Sequence, residues 1–545
     1  MKLSAKDLKD PQSFFNKYVM NDSTVMEFYD YSIHKDEYIR RANELASREF
    51  QRTKLVEALT AYNKKFTNSD ATFSQINRLL NDRSTVMVGG QQAGILTGPI
   101  YTPTKILSIL SYAKDFENEL KSPVVPIFWL AGEDHDIDEV NHTYFHDGDG
   151  IKRIRISERN EFKQPASERK IPREEAKGLI KEAFLDLQET VHTQSLYESL
   201  INDLDRELTY VEWCALIIHR LFKDSGIVLM DAADPAIRQI EKPYFTQLVK
   251  GNDNLRTAFY DGANQFKKAG FGEPIDIRKE NAHLFIHDNG QRFLLEKSGQ
   301  LFQDKNSGRE WSKEEILDSL SDNPLLLSNN VVTRPIMQDM LLPVIGFVAG
   351  PGELKYWGTL KNSFHIFNMN MPPVLPRLHL SFISRKVEKN LKWVNLPPDE
   401  AMLGELVSLK RQWVKDNKDL SVQKSFKKAY KEMEEVISQL SESMQNLGQD
   451  AQKVHQRQGD LIRNQFLQYE KKVEKLSLAK LSDGIRRFEE IEAELLPNGN
   501  WQERVLNVFP FLNAYGSDLY IRVLRELSSG DNSKDLIGKH LYVYL

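Results

Sequence analysis

The sequence predicts an α/β protein: a doubly wound parallel sheet with insertions, joined to an α-helical coiled-coil domain. Three observations carry that prediction. Short, nearly continuous apolar runs alternate with helical patterns up to about residue 383, as expected for strands covered on both faces. Glycines follow the first of these runs and acids the second. After Ser384 the apolar residues change to heptad spacing.

The elements follow in order. Residues 1–80 read as mainly helical and polar. Residues 86–88 form a short β-branched run, and Gly89, Gly90, Gly94 and Gly98 after it permit sharp turns. Thr102 fits an N-cap with Pro103 at the first helical position, and Ile106, Leu107, Leu110 and Ala113 give that helix an apolar face. Residues 124–130 are a second buried strand, and 226–230 a third, with a helix starting at 231–235. Further strands are expected at 331–333, 342–349 and 374–383. Two insertions interrupt the core, at about 143–222 and 262–330. The second contains a hairpin, because residues 284–286 and 293–295 flank Asp288-Asn289-Gly290. In the coiled-coil domain, residues 384–480, Phe426, Tyr430, Met433, Ile437, Leu440, Met444 and Leu447 alternate spacings of four and three. The run resumes at Ile462, and periodicity leaves open whether one helix or a hairpin broken near Gly448 carries it. Such a seam is expected to pair with a second copy, giving a homodimer. Residues 481–545 are expected to return to the core.

Two strand ends hold candidate chemistry. The glycine loop is not a Walker A motif, since Ile95 and Leu96 stand where Lys and Ser/Thr belong. It either cradles an anion at the start of the next helix or merely turns the chain. Glu133, Asp134, His135 and Asp136 lie hard against the end of the second strand, suited to hold an ammonium group or accept a proton. Asp138 and Glu139 read as an acidic helix start, favoured by the dipole. His135, Asp136 and His142 lack both an H-E-x-x-H frame and a cysteine ligand, so no metal is expected.

Composition narrows the class. A net charge of −5 over 545 residues argues against nucleic-acid binding. The single cysteine, Cys214, builds neither a disulfide framework nor a thiolate zinc site. There is no signal-peptide pattern and no apolar stretch near the ~20 residues that span a bilayer, so a cytoplasmic location without membrane contact is expected.

The motifs together resemble a known family. They are Gly90-Gln91-Gln92-Ala93-Gly94 with Thr97-Gly98-Pro99 and Lys105, and Phe128-Trp129-Leu130-Ala131-Gly132-Glu133-Asp134-His135-Asp136 with Glu139, Asn141 and His142. Thr333-Arg334-Pro335, Gly350-Pro351-Gly352-Glu353 with Tyr356 and Trp357, and Trp501-Gln502-Glu503-Arg504 with Pro510 and Tyr515-Gly516 complete the pattern. Over its whole length the chain is similar to the cysteine-adding ligases of bacillithiol biosynthesis. The resemblance implies a Rossmann-like core related to class I aminoacyl-tRNA synthetases, and amide formation between cysteine and glucosaminyl-malate. It implies catalysis by Glu133, Asp134, His135 and Asp136. It places substrate or nucleotide at Gly90, Gln91, Gln92, Gly94, Thr97, Gly98, Tyr101, Lys105, Asn141, His142, Arg334, Glu353, Tyr356 and Trp357. No resident cofactor is implied; the energy source stays open, with ATP or another adenine nucleotide as the candidate. The synthetase His-Ile-Gly-His signature is absent, with Thr97-Gly98-Pro99-Ile100 in its place. A non-catalytic scaffold acting through the coiled coil and another nucleotidyl-transferring enzyme are the competing readings.

Overall fold

The computed structural model describes residues 1–8, 13–146, 150–158, 162–304, 306–418, 420–529 and 533–545. The chain divides into two compact units, Met1–Phe382 with Asn500–Leu545, and Ile383–Gly499.

A five-stranded parallel sheet organises the first unit. Its strands are β1 (Thr85–Gln91), β2 (Val124–Leu130), β3 (Val228–Asp231), β4 (Val344–Ala349) and β5 (Val374–Pro376), in the order β5-β4-β1-β2-β3. Side chains alternate between two cores, as strand geometry requires. Val86, Val88, Ile127, Trp129, Val228 and Met230 enter one, and Met87, Phe128, Leu130 and Leu229 enter the other. Both faces are thus dry, which explains why these strands lack polar alternation. The helices that concern the site are α1 (Tyr101–Leu120), α2 (Pro235–Lys250), α3 (Thr333–Leu341) and α4 (Pro351–Trp357). From β1 the chain proceeds to β2 on one side, and β4 later fills the other. The reversal of strand order leaves a crevice at the carboxyl ends of β1 and β4, where open α/β sheets bind ligands.

The first insertion opens with an antiparallel pair, His142–His146 and Ile151–Arg155, and continues as helices. Cys214 is buried there, and burial pushes its thiol up to about 12. The second insertion builds an antiparallel sheet in which Asn281–Asp288 and Gln291–Ser298 form the expected hairpin. Asn289 and Gly290 supply its two positive φ angles, 50° and 73°.

Three local expectations are corrected, and the mainly helical reading of residues 1–80 holds with one exception. Residues 1–80 are not all helix: Lys2–Asp7 is a strand paired with Lys539–Tyr544. Thr102 is not an N-cap, because Ile100 is already helical and α1 begins at Tyr101. Pro103 still sits in the first turn, where its missing N–H leaves no bond unmade. Residues 331–333 are no strand: the Asn330 side chain accepts the N–H groups of Val332 and Thr333 and turns the chain into α3. The run at 374–383 splits into β5 and His379–Ile383, which belongs to a different sheet.

The second unit comprises α5 (Arg385–Val394), α6 (Leu406–Asn417), α7 (Leu420–Gln445), α8 (Gln449–Ala479) and α9 (Ser482–Leu495), with shorter turns. The heptad run is a hairpin. Gly448 breaks it at φ 95°, and α7 lies antiparallel to α8, with Phe426 against Phe466 and Tyr469 at 5.6 and 5.1 Å and Arg463 paired with Glu434. The α9 helix stays in this unit, its Phe488 ring 5.9 Å from Trp413. The chain rejoins the first unit at Asn500, later than residue 481, because α9 spends its apolar face on α5 and α6. No helix among the described residues is long and apolar enough to cross a membrane.

Candidate active site

A cleft of about 670 Å³ opens at the carboxyl ends of β1, β2 and β4. Five elements converge on it. The end of β1 brings Gly90, Gln91 and Gln92; the segment after β2 brings Glu133, Asp134, His135 and Asp136. Tyr101 and Lys105 come from α1, Arg334 from α3, and Glu353 from α4. The residue at 90 must be glycine, since a Cβ there would lie 2.6 Å from the Trp129 carbonyl oxygen of the neighbouring strand.

The acids occupy the β2 side. One Glu133 oxygen accepts from the buried Arg238 of α2 and from the Asn329 backbone N–H at 3.2 Å. Asp134 accepts from Gln92 Nε2 at 2.8 Å and from the Asp136 N–H at 3.2 Å, with the Arg292 guanidinium 3.9 Å away. Burial alone would raise the Asp134 carboxyl; Arg292 and these hydrogen bonds outweigh it and hold the group below its ordinary value. Asp136 caps the short helix Ile137–Val140 and is exposed. Glu139 also lines the cleft, sharing Gln92 Nε2 with Asp134, and burial raises its carboxyl. Its role as a mere helix-dipole acid is therefore incomplete.

The cations gather toward β4 and β5. Lys105 is 1% exposed; its Nζ donates to the Gly90 carbonyl at 2.8 Å, to Gln91 and to Glu353. Burial pushes its ammonium group down. Arg334 donates to the Tyr356 hydroxyl rather than to a core acid. Arg377, just past β5, is gripped by both oxygens of Glu503 at 2.7 Å. Arg504 is exposed beside them.

Several predicted site residues lie elsewhere. Gly94, Thr97 and Gly98 are buried beneath the 506–509 segment. Asn507 Nδ2 donates to the carbonyls of Leu96 and Gly98 at 3.0 and 2.9 Å. This bond set clamps a turn in which Leu96 and Thr97 take positive φ, strained for side chains of their kind. The Gly94–Gly98 segment is buried and does not line the cleft, whereas Tyr101 and Lys105 farther along do. Asn141 is fully buried, and the His142 ring packs against Tyr144 at 5.5 Å. Trp357 stacks on Phe347 at 4.3 Å in the core, and Tyr356 touches the site only through Arg334.

Sequence reasoning missed Arg292, Arg377 and Asn329, and saw Arg504 and Glu503 only as motif members. Arg292 had one readable signal: it stands two residues after Gly290 of the turn, paired with His287 across the hairpin. Arg377 and Asn329 offered none.

Comparison with known proteins agrees with this architecture. Residues 1–378 match the family model described as bacillithiol biosynthesis BshC, N-terminal Rossmann-like domain, and residues 380–537 match its C-terminal coiled-coil domain. Curated relatives named "Putative cysteine ligase BshC" align over nearly their whole length. A protein from Geobacillus sp. (strain WCH70) is 35% identical over 531 residues, 97% of both chains. One from Geobacillus kaustophilus is 36% identical over 510 residues, 93% of each, and one from Bacillus cytotoxicus 32% over 536, covering 98% of this chain and 100% of its own. With an α/β core and a helical hairpin matched domain by domain, the chain belongs to the bacillithiol biosynthesis BshC family.

Proposed function

We propose that the chain is a cytoplasmic cysteine ligase that joins cysteine to glucosaminyl-malate through an amide bond. One observation carries the reading: carboxylates gather at the β2 end of the cleft around Arg292, and cations gather toward β4 and β5 around Glu353. Amide formation needs both. Glu133, Asp134 and Asp136 offer carboxylates to an amine that must bind as ammonium and then lose a proton. Arg334 and Arg504 offer cations to carboxylate or phosphate groups, with Lys105 and Arg377 behind them, already paired with Glu353 and Glu503. A scaffold has no use for this concentration of ionised groups in one cleft. Purified protein incubated with both substrates, with and without ATP, is expected to yield the thiol product by mass spectrometry. Absence of product in both arms, from folded protein, would refute the reading, and the difference between arms tells whether ATP supplies the energy.

We also propose a homodimer formed through the α7–α8 hairpin. Pairing of the two helices leaves Val436, Leu440, Leu447, Val454, Leu461 and Leu476 about half exposed or more, between 49% and 72%. Ile437 is 6% exposed inside the hairpin, so replacing it would unfold the arm rather than test assembly. Leu440→Lys with Leu461→Lys is expected to convert a native dimer into folded monomers by light scattering. A native protein of single-chain mass would overturn the claim.

A further inference from the structure

The second insertion reaches into the cleft with a hairpin, and two of its lining residues, Phe285 and Arg292, touch His135. The Phe285 ring meets the imidazole edge-on, 5.8 Å between centroids. Arg292 lies over the same phenyl ring, its guanidinium carbon 3.6 Å from the centroid, and Arg292 Nη1 is 3.2 Å from His135 Nδ1. A guanidinium group has donors and no acceptor. The imidazole nitrogen that faces it must therefore accept, which leaves the ring proton on Nε2.

The guanidinium is itself fixed. Its Nε donates to the Ser328 hydroxyl at 2.9 Å, and Nη2 donates to the Asn329 carbonyl. Since Ser328 Oγ accepts from Arg292, its own proton is free for His287 Nε2 at 2.9 Å. Every polar contact around Arg292 is thus consistent with one direction of donation. His135 is partly exposed on the cleft, and its Nε2 meets no partner among the described residues.

We propose that Arg292 is a positioning residue that locks His135 as a neutral Nε2–H donor, and that His135 offers this N–H to an anionic oxygen of the bound ligand. The proposal rests on the cleft being the ligase site. It assigns His135 a different role from its carboxylate neighbours: it gives a hydrogen bond and keeps its proton. Proton acceptance falls to the acids. The charged surroundings agree. Arg292, Lys163 and Arg169 disfavour an imidazolium and Asp134 favours one, while His287 stands nearby; burial first and Arg292 second push the ring down to about 4. A ring of that kind stays neutral throughout the neutral pH range.

The tautomer is directly observable. Long-range ¹⁵N–¹H correlation of histidine-labelled protein, with His135 assigned from the His135→Gln spectrum, is expected to show an unprotonated Nδ1 and a protonated Nε2 that persist below pH 6. An Nδ1–H form, or titration at the ordinary histidine value, overturns the proposal whatever the enzyme catalyses. Adding glucosaminyl-malate, cysteine or ATP separately should move the Nε2–H signal in at least one arm, which identifies whether carboxylate or phosphate oxygen is bound. No movement in any arm overturns the donor role. Gln places an N–H₂ near the Nε2 position and Asn does not reach it. His135→Asn is therefore expected to lose about 10²-fold or more in turnover, with His135→Gln keeping activity within about tenfold of the native rate. Equal losses in both variants overturn the donor role. Arg292→Gln should let the ring sample both tautomers; an unchanged spectrum in that variant would show that Arg292 does not set it. A native enzyme inactive on these substrates would refute the ligase reading and leave the tautomer result standing.

Discussion

Asp134→Asn is expected to lower the rate of amide formation by about 10²-fold or more, with little change in fold. The substitution keeps size and removes the charge of a carboxylate that sits at the strand end, inside the cleft. Gln92 and Arg292 hold that carboxylate ionised, so at neutral pH it is present as the charged partner an ammonium group needs. The same surroundings make it a weak base. If Asp134 orients the amine, the loss should fall chiefly on binding and show as a raised KM; if it takes the proton, kcat falls. Asp136→Asn, whose carboxylate is exposed and caps a short helix, separates the two roles when measured beside it. Unchanged turnover in both variants, with normal circular dichroism, would remove the pair from the mechanism.

Glu503→Ala is expected to cost about 3–5 kcal/mol of unfolding free energy, because it strands a buried charge. Glu503 is fully buried and accepts from Arg377 twice, from His379 at 2.8 Å and from the Leu380 N–H at 3.2 Å. Burial alone would raise its carboxyl, and Arg377 and His379 overcome this to push it well below the usual range. Removing it takes away the direct ion-pair partner of Arg377, which is 3% exposed. The urea midpoint followed by tryptophan fluorescence reports the loss. The double variant Arg377→Met, Glu503→Met should recover much of it, since neither charge is then buried alone. A midpoint that does not move in Glu503→Ala would show that water reaches Arg377 and screens it.

The parts of the fold that could be read from sequence are those whose environment is uniform. Residues 124–130 are apolar on both faces because both faces are covered, and Asn289-Gly290 marks its hairpin because few other pairs accept two positive φ angles. The acids after β2 were legible for a related reason: polar groups packed against the end of a buried strand need a purpose. What escaped depends on partners distant along the chain. Asn507 clamps the Gly94–Gly98 turn from 409 and 411 residues away, so the turn looked like a ligand loop. A single arginine such as Arg377 resembles any solvated arginine until Glu503 is placed against it. The strand Lys2–Asp7 carries three charges in six residues and shows no buried face, so only its pairing partner reveals it.

That pairing sets an order of events during synthesis. A ribosome delivers residues 2–7 first, yet their partner strand at 539–544 emerges some five hundred residues later. The cleft waits as well, because Arg504 lines it and Glu503 grips Arg377 from the same distal stretch. The parallel sheet can assemble while translation proceeds, but the nascent chain must carry an open strand edge and an unclamped turn until the distal segment is released. Premature termination after β5 but before residue 503 would therefore yield a chain with its parallel sheet complete and no working cleft.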